Sequence, residues 1–413
     1  MSEINSPAIR FAGFTEDWEE RKLGEVATFR RGLTYHPSNV CVNGVRVLRS
    51  SNINEDSFVL KDDDIFVKQS AINIDFAKKN DILITAANGS SRLVGKHALI
   101  TKLVENVVHG GFMLLASSDN PAFVNALMSS PWYSTFINIH VAGGNGAIGN
   151  LSKRDLEDQS IFVPSATEQK QIGEFFTSLD RLITLHQREH DKTVNIKKAL
   201  LEKMFPKDGE GKPEIRFAGF TDAWESRKLG ELALSFEYGL NAAATAFDGI
   251  HKYIRITDID EETHEFKFDS LTTPDVNLKL ADSYLLKEGD VLFARTGASV
   301  GKTYQYKEHD GLVYFAGFLI RARINPKYDS EFVFQNTLTR KYNSFIATTS
   351  QRSGQPGVNA VEYADYEILV PKLDEQKAIG IFLSKLDRLI AQHQRELTKL
   401  QNIKKALLEK MFV

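Results

Sequence analysis

The chain contains an internal sequence repeat, in which two segments of the first half occur again in the second half. Residues 9–25 read IRFAGFTEDWEERKLGE and residues 215–231 read IRFAGFTDAWESRKLGE, at an offset of 215 − 9 = 206. Residues 168–205 and 375–412 share LDRLI, HQRE and NIKKALLEKMF, at an offset of 375 − 168 = 207. Two long repeats almost in register favour a pseudo-symmetric pair of units over a solenoid, which stacks many short repeats.

The stretches between the repeats differ. Residues 26–160 and 232–367 share only scattered positions, and PKDGEGKPE has the composition of an exposed linker. We therefore predict an α+β protein with an internal pseudo-two-fold repeat, in which a long antiparallel two-helix coiled coil separates two mixed α/β domains. The predicted parts are a constant segment (1–25), a first variable domain (26–164), a first constant helix (165–205), a linker (206–214), a repeated constant segment (215–231), a second variable domain (232–371) and a second constant helix (372–413).

Each C-terminal repeat has the apolar spacing of a coiled-coil helix, with steps that alternate between four and three. In the second copy the stripe comprises Ile379, Leu383, Leu386, Ile390, His393, Leu397 and Leu400, then shifts at Ile403 and continues through Leu407 and Met411. In the first copy it comprises Ile172, Phe176, Leu179, Ile183, His186, His190, Thr193, Ile196, Leu200 and Met204. Thr167 and Asp374 are the predicted N-caps.

A helix with one apolar stripe must bury it, so we predict that the two copies pack against each other. Each advances 205 − 168 = 37 steps, or about 55 Å at about 1.5 Å per residue, which exceeds the roughly 34 Å turn of B-DNA. Antiparallel packing would place the variable domains at opposite ends. His186 and His393 are predicted to form a hydrogen-bonded pair, since no cysteine or acidic cluster nearby suggests a metal site. His190 and Thr193 either set the register or face a partner.

The composition is that of an ordinary globular protein, with 42% hydrophobic and 25% charged residues. A single cysteine, Cys41, excludes an internal disulfide framework. The start of the chain does not read as a signal peptide, and no apolar run is long enough to span a bilayer, so we expect a cytoplasmic protein without a membrane partner. The net charge of −3 is unlike that of a protein that binds DNA by bulk attraction.

The variable domains share a faint skeleton of strands and polar loops. VRVLRSSNINED (45–56) matches HKYIRITDIDEE (251–262), and NDILITAANGSSRLVGKH (80–97) matches GDVLFARTGASVGKT (289–303). A third loop, 142–152, corresponds to 350–360. Arginine and lysine bind guanine edges or phosphate, and asparagine and glutamine pair with adenine. The candidate DNA contacts are Arg49, Ser51, Asn52, Asn88, Ser90, Arg92, Lys96, Asn145, Asn150, Arg255, Thr257, Arg295, Thr296, Lys302, Gln351, Arg352, Gln355 and Asn359.

Two motifs that would indicate nucleotide binding are imperfect. The segment TGASVGKT (296–303) resembles a P-loop, but three residues rather than four separate its glycines. Gly144, Gly146 and Gly149 fit G-x-G-x-x-G, but the second copy lacks this pattern. No amino-methyltransferase, nuclease or zinc motif is present, so we predict no catalytic residues, no metal and no cofactor. A nucleotide-binding enzyme that uses 289–303, and a coiled-coil adaptor without a role in DNA binding, remain the alternatives.

The twin WEERKLGE and WESRKLGE segments, the twin helices and GDVLFARTGASVGK together resemble the specificity subunits of type I restriction–modification systems. The resemblance covers almost the whole chain and includes the duplication. It implies that the variable domains are target-recognition domains for the two halves of an asymmetric site in double-stranded DNA. It also implies that the helices set the spacer and dock two modification subunits, which carry S-adenosylmethionine. Restriction subunits would join the complex and supply translocation and cleavage.

Overall fold

The computed structural model describes residues 6–103, 105–141, 149–207 and 209–413. These residues form two compact units. The first unit contains the described residues up to Leu185 together with Leu397–Val413, and the second unit is His186–Glu396. The two long helices are Ala166–Met204 and Leu373–Lys410, and they lie within the predicted constant segments 165–205 and 372–413. Each unit combines one variable domain with one part of each long helix.

In the first unit, two four-stranded sheets form the framework of the variable domain. One sheet is antiparallel, with the spatial order His97–Leu99, Ile82–Thr85, Met113–Ser117 and Thr28–Arg31. The other is mixed, with the order Val107–His109, Val45–Leu48, Ile65–Val67 and Val40–Cys41. Short pairs join Glu19–Lys22 to Ser160–Val163, Gly149–Asn150 to Ala87–Asn88, and Ile53–Asn54 to Ser57–Phe58. The shorter helices are Leu23–Val26, Pro121–Met128, Pro131–His140 and Lys153–Glu157.

The second unit repeats the antiparallel sheet, and two-stranded pairs stand where the first unit has its mixed sheet. Its four-stranded antiparallel sheet has the order Ala233–Tyr238, Leu319–Ile324, Asp290–Ala294 and Thr303–Gln305. Lys252–Ile254 pairs in parallel with Val313–Phe315, whereas Ala244–Ala246 with Thr272–Pro274 and Glu225–Lys228 with Glu367–Val370 are antiparallel pairs. The shorter helices are Leu229–Leu232, Ser330–Asn336, Arg340–Thr349 and Ala360–Ala364.

The repeated constant segments brace the start of each long helix. In the first unit the Arg10 guanidinium binds both oxygens of Glu168, at 2.7 and 2.8 Å, and in the second Arg216 binds Glu375 in the same way, at 2.6 and 2.7 Å. Both glutamates are buried and lie in the first turn of their helices, where the helix dipole favours a negative charge. The identical IRFAGF segments therefore perform the same structural task twice.

Within each unit the two long helices contact each other in antiparallel order. In the second unit His186 Nδ1 lies 3.4 Å from His393 Nδ1, and farther along Lys197 Nζ contacts Asp387. The predicted histidine pair is therefore confirmed, at the long end of the hydrogen-bond range. In the first unit the ring of Phe176 packs 5.9 Å from Phe412, and Lys404 Nζ lies 2.8 Å from Asp180.

The interface between the two long helices, here called the seam, differs from the predicted apolar stripe at two matched positions. Ile196 and Ile403 are exposed, while their neighbours Lys197 and Lys404 turn inward. Each lysine buries its alkyl stem and places its ammonium on an aspartate of the other helix. The N-cap predictions were also wrong. The first helix begins at Ala166, with the Ser165 hydroxyl accepting a bond from the Glu168 amide, and Asp374 lies inside the first turn of the second helix.

Each unit has its own apolar core. In the first unit the Trp18 ring packs on Phe123 and Phe412, at 6.4 and 6.2 Å between centroids. In the second unit Trp224 packs at 6.1 Å on Phe205 and at 5.7 Å on Phe332. The tryptophans of the repeated segments thus anchor both domains to helix ends. Over the described part of the chain, every helix is too short or too polar to cross a bilayer.

Candidate nucleic-acid interface

The first predicted loop of the first unit is a single turn of 3-10 helix, Ser50–Asn52. The structure contradicts the prediction for Asn52, which is fully buried. Its Oδ1 accepts a bond from the Arg49 amide at 2.8 Å, and its Nδ2 donates to Val59 O at 3.0 Å and to Asp64. Asn52 therefore holds the turn together and has no amide edge left for adenine.

The second loop of the first unit is tied to the first. Asn88 Nδ2 donates to Ser50 Oγ at 3.2 Å, and Asn88 Oδ1 accepts from the Ser90 amide at 3.0 Å. The short strand Gly149–Asn150, at the end of the third loop, pairs with Ala87–Asn88. Ser90, Arg92 and Asn150 are exposed. Asn145, Gly144 and Gly146 lie outside the described residues.

Three of the predicted residues line one cavity of about 670 Å³ in the first unit. They are Arg49, Ser51 and Asn88, each contributed by a segment that precedes or follows a buried strand. Within the described residues, Arg49 Nε and Ser51 Oγ are buried without a hydrogen-bond partner. A buried polar atom without a partner is costly, so these two atoms are not explained by the packing of the domain itself. Lys96 lines a different cavity, beside Lys404 and Asp180.

In the second unit, Asp258 takes the place of Asn52. It accepts a bond from the Arg255 amide at 2.9 Å, and it also binds the Arg255 guanidinium through two bonds, of 2.8 and 2.9 Å. The neighbouring Thr257 is exposed and donates to Asp258 at 3.1 Å. Arg255 is thus fixed by a carboxylate, whereas Arg49 at the matched position of the first unit has no carboxylate partner among the described residues.

The second and third loops of the second unit are joined through their backbones. The Val358 amide donates to Arg295 O at 2.9 Å, and the Gly297 amide donates to Pro356 O at 3.0 Å. The Arg295 guanidinium stacks 4.8 Å from the centre of the Tyr238 ring, which restrains it at the surface. The Thr296 hydroxyl lies 3.4 Å from Pro356 O, and the exposed Gln355 lies beside Gly297. The structure therefore brings Arg295, Thr296 and Gln355 together.

Other predicted residues of the second unit have partners within the domain. Asn359 caps the helix Ala360–Ala364, because its Oδ1 accepts bonds from the Val361 and Glu362 amides at 2.9 and 3.0 Å. Arg352 bonds to the backbone at Thr349 O and to the Glu362 carboxylate. Gln351 Nε2 donates to Ala347 O at 3.2 Å. All three are exposed, but their hydrogen bonds also give each a structural role.

The segment that resembles a P-loop does not present its donors outward. Lys302 is largely buried and binds Ile259 O and the Glu261 carboxylate, at 3.3 and 3.0 Å. The amides of Gly301 and Lys302 donate to Ala294 O and Ser299 O. A phosphate cradle needs free amides and a free lysine. The local geometry therefore disfavours the nucleotide-binding alternative, and Lys302 is placed as a buried support of the 256–261 turn.

Two exposed aromatic residues near the loops were not among the candidates predicted from the sequence. Phe112 in the first unit and Phe318 in the second are large apolar side chains on the surface, beside the predicted loops. The available signal was the Gly-Phe pair at 111–112 and 317–318, repeated where the two variable domains otherwise share few residues.

Comparison with known proteins places this geometry in a family. Residues 15–194 and 221–402 each match the type I restriction modification DNA specificity domain. The chain is 23% identical to the type I restriction enzyme StySPI specificity subunit of Salmonella potsdam over 431 residues, with 96% of this chain and 89% of that protein covered. It is also 23% identical to the EcoKI specificity subunit of Escherichia coli strain K12 over 424 residues, with the same two coverages.

A solved structure shares the fold. The crystal structure of the type I restriction–modification system S subunit from M. genitalium matches with a TM-score of 0.66 and 15% identity, covering 99% of both chains. The two family matches together span most of the sequence and fall on the two halves of the repeat. With its duplicated α+β domains and paired loop clusters, this chain belongs to the type I restriction–modification DNA specificity family, as a specificity subunit.

Proposed function

We propose that each variable domain reads one half of an asymmetric, interrupted DNA sequence, and that the chain itself catalyses no reaction. The observation that carries this proposal is the pair of loop clusters built on one framework from different residues. The first offers Arg49, Ser51 and Asn88 around a cavity. The second offers Arg295 against Tyr238, with Thr296 and Gln355 nearby. Different donors on a common frame would select different base pairs.

The long helices provide the spacing in this proposal. They would form one continuous antiparallel coiled coil that holds the recognition domains, 26–164 and 232–371, a fixed distance apart. The reciprocal pairs Lys197–Asp387 and Lys404–Asp180 support it, because each unit fixes the same register between the helices. The constant segments 1–25 and 215–231, with the helices 165–205 and 372–413, would dock two modification subunits, and 206–214 would link the halves.

The chemistry would reside in the partners. Two modification subunits would bind S-adenosylmethionine and methylate adenine, and restriction subunits would add translocation and cleavage in the cytoplasm, where the chromosome lies. The net charge of −3 supports this division of tasks, since the partners would supply much of the attraction to phosphate. We expect the isolated chain to bind DNA weakly, and nanomolar binding without partners would contradict this expectation.

A domain exchange tests the proposal. Residues 232–367 are replaced by the corresponding segment of another specificity subunit, and adenine methylation is mapped across a genome. We expect one half-site to change and the other to stay as it was. A change in both halves, or in neither, would refute the assignment. A complex that fails to retard any duplex at low salt would instead favour the adaptor without a DNA role.

A further inference from the structure

Phe112 and Phe318 occupy matched places in the two units. Their side chains are 68% and 63% exposed, so neither ring contributes much to a core. Single exposed apolar residues are common and need no explanation. Here, however, the same residue recurs at an offset of 318 − 112 = 206 in two domains that share only scattered positions.

The backbone around the two phenylalanines is also the same. In the first unit the Gly110 amide donates to Leu48 O, and the Ala86 amide donates to Phe112 O, both at 2.9 Å. In the second unit the Ala316 amide donates to Ile254 O, and the Arg295 amide donates to Phe318 O, both at 3.0 Å. The Gly-Phe segment therefore lies between the first and second predicted loops in each unit.

These hydrogen bonds explain the position of the backbone, but they do not explain why a phenyl ring is exposed there. Any residue could supply the carbonyl oxygen of Phe112 or Phe318. The preceding glycine of the first unit has a close neighbour, because a Cβ atom on Gly111 would lie 3.1 Å from the Thr34 hydroxyl, whereas one on Gly317 would make ordinary contact with Leu240 O at 3.4 Å. An exposed ring held in place by a rigid backbone is suited to contact something outside the chain.

The residues near the two phenyl rings indicate which kind of ligand the rings would contact. Phe112 lines the cavity that also contains Arg49 and Asn88, and Phe318 is bonded through its backbone to Arg295. Arginine and asparagine read the polar edges of guanine and adenine in the major groove, where the thymine 5-methyl group is the apolar feature. A phenyl ring among such residues complements that methyl group.

We infer that Phe112 and Phe318 each pack against a thymine methyl group in the half-site of their own domain. This inference rests on the proposed function, and it assigns to each domain an apolar contact beside its polar ones. Discrimination would come from the loss of van der Waals contact when the methyl group is absent. The two rings would act on opposite halves of the target, so their effects are separable.

The test uses the complete complex of the chain with its modification subunits. Each thymine of a target duplex is replaced in turn by uracil, which lacks the methyl group, and the dissociation constant is measured for the wild type and for Phe112→Ala and Phe318→Ala. We expect one uracil position in each half-site to weaken wild-type binding by about fivefold or more. The same uracil should have no effect on the alanine variant of the domain that reads that half.

Matched controls are Val42→Ala in the first unit and Leu280→Ala in the second, since both side chains are even more exposed and neither lines the cavity described above. All four variants should unfold at the wild-type temperature. If Phe112→Ala weakens binding equally to thymine and uracil duplexes, or reduces assembly with the modification subunits instead, the inference is wrong. If Arg49→Ala lowers affinity for the target while both phenylalanine variants bind normally, the inference fails and the proposed function stands. If the wild-type complex prefers no sequence, the proposed function itself fails.

Discussion

The inward-facing lysines of the seam lead to a quantitative prediction. In the second unit the side chains of Lys197 and Asp387 are 10% and 17% exposed, and Gln335 Nε2 donates to the other oxygen of Asp387 at 2.6 Å. Removing one member of a fully buried pair costs about 3–5 kcal/mol. Because the pair keeps slight exposure and Asp387 keeps its bond from Gln335, we expect Lys197→Met to cost about 2–3 kcal/mol.

The matched control is an exposed ion pair in the same unit. Lys372 Nζ lies 2.6 Å from Asp222, with side chains 79% and 60% exposed. Solvent screens such a pair, so Lys372→Met should destabilise the second unit much less than Lys197→Met does. The double variant Lys197→Met with Asp387→Leu should be more stable than Lys197→Met alone, because it removes both charges and leaves no buried carboxylate without its cation.

Urea unfolding of the second unit can be followed through Trp224, in a chain whose Trp18 and Trp132 have been changed to Phe. All variants are compared in that background. If Lys197→Met costs no more than Lys372→Met, or if the double variant is no more stable than Lys197→Met, then the seam pair does not act as a buried ion pair. The lysine–aspartate pairs would then not be what fixes the register of the two long helices.

Three other outcomes follow from the structure. Burial lowers the pKa of His97, so the unfolded chain takes up a proton that the native chain does not as pH falls below about 6.5. The unfolding temperature of the wild type should therefore drop between pH 7.5 and 5.5, and that of His97→Gln should drop less. An equal drop in the wild type and the variant would count against this role of His97. A Cβ atom on Gly32 would lie 1.9 Å from Gly110 O, so Gly32→Ala should cost about 3 kcal/mol in urea unfolding, while Gly89→Ala, with open space around it, should cost little. Inserting seven residues in both long helices should widen the gap between methylated half-sites, and an unchanged gap would argue against the spacer.

The long helices could be predicted because a stripe with steps of four and three has few other solutions. The inward turn of Lys197 and Lys404 could not, since an isoleucine stands beside each lysine and is the more apolar choice. Only the positions of Asp387 and Asp180 on the facing helix make burial of the lysines favourable. That information lies about 190 or more residues away along the chain.

The predicted loop segments are loops and turns in the structure, but the surroundings of individual side chains could not be predicted. Asn52 was predicted to contact DNA because an asparagine amide can pair with adenine, yet the same amide chemistry closes a turn. Sequence alone does not distinguish these uses. Phe112 was missed for a different reason, because its signal in the sequence was the repeated Gly-Phe pair alone and its exposure is a property of the fold.

The division of the chain into units has a consequence for synthesis. The first unit needs Leu397–Val413, whose Phe412 packs on Trp18 and Phe123, whereas the second unit is continuous from His186 to Glu396. During translation every residue of the second unit is therefore synthesised before the helical turns that complete the first unit. A nascent chain cut short before those turns would carry an open apolar face, which quality-control proteases and chaperones recognise. Only copies that contain Leu397–Val413 would then have a closed core in the first unit.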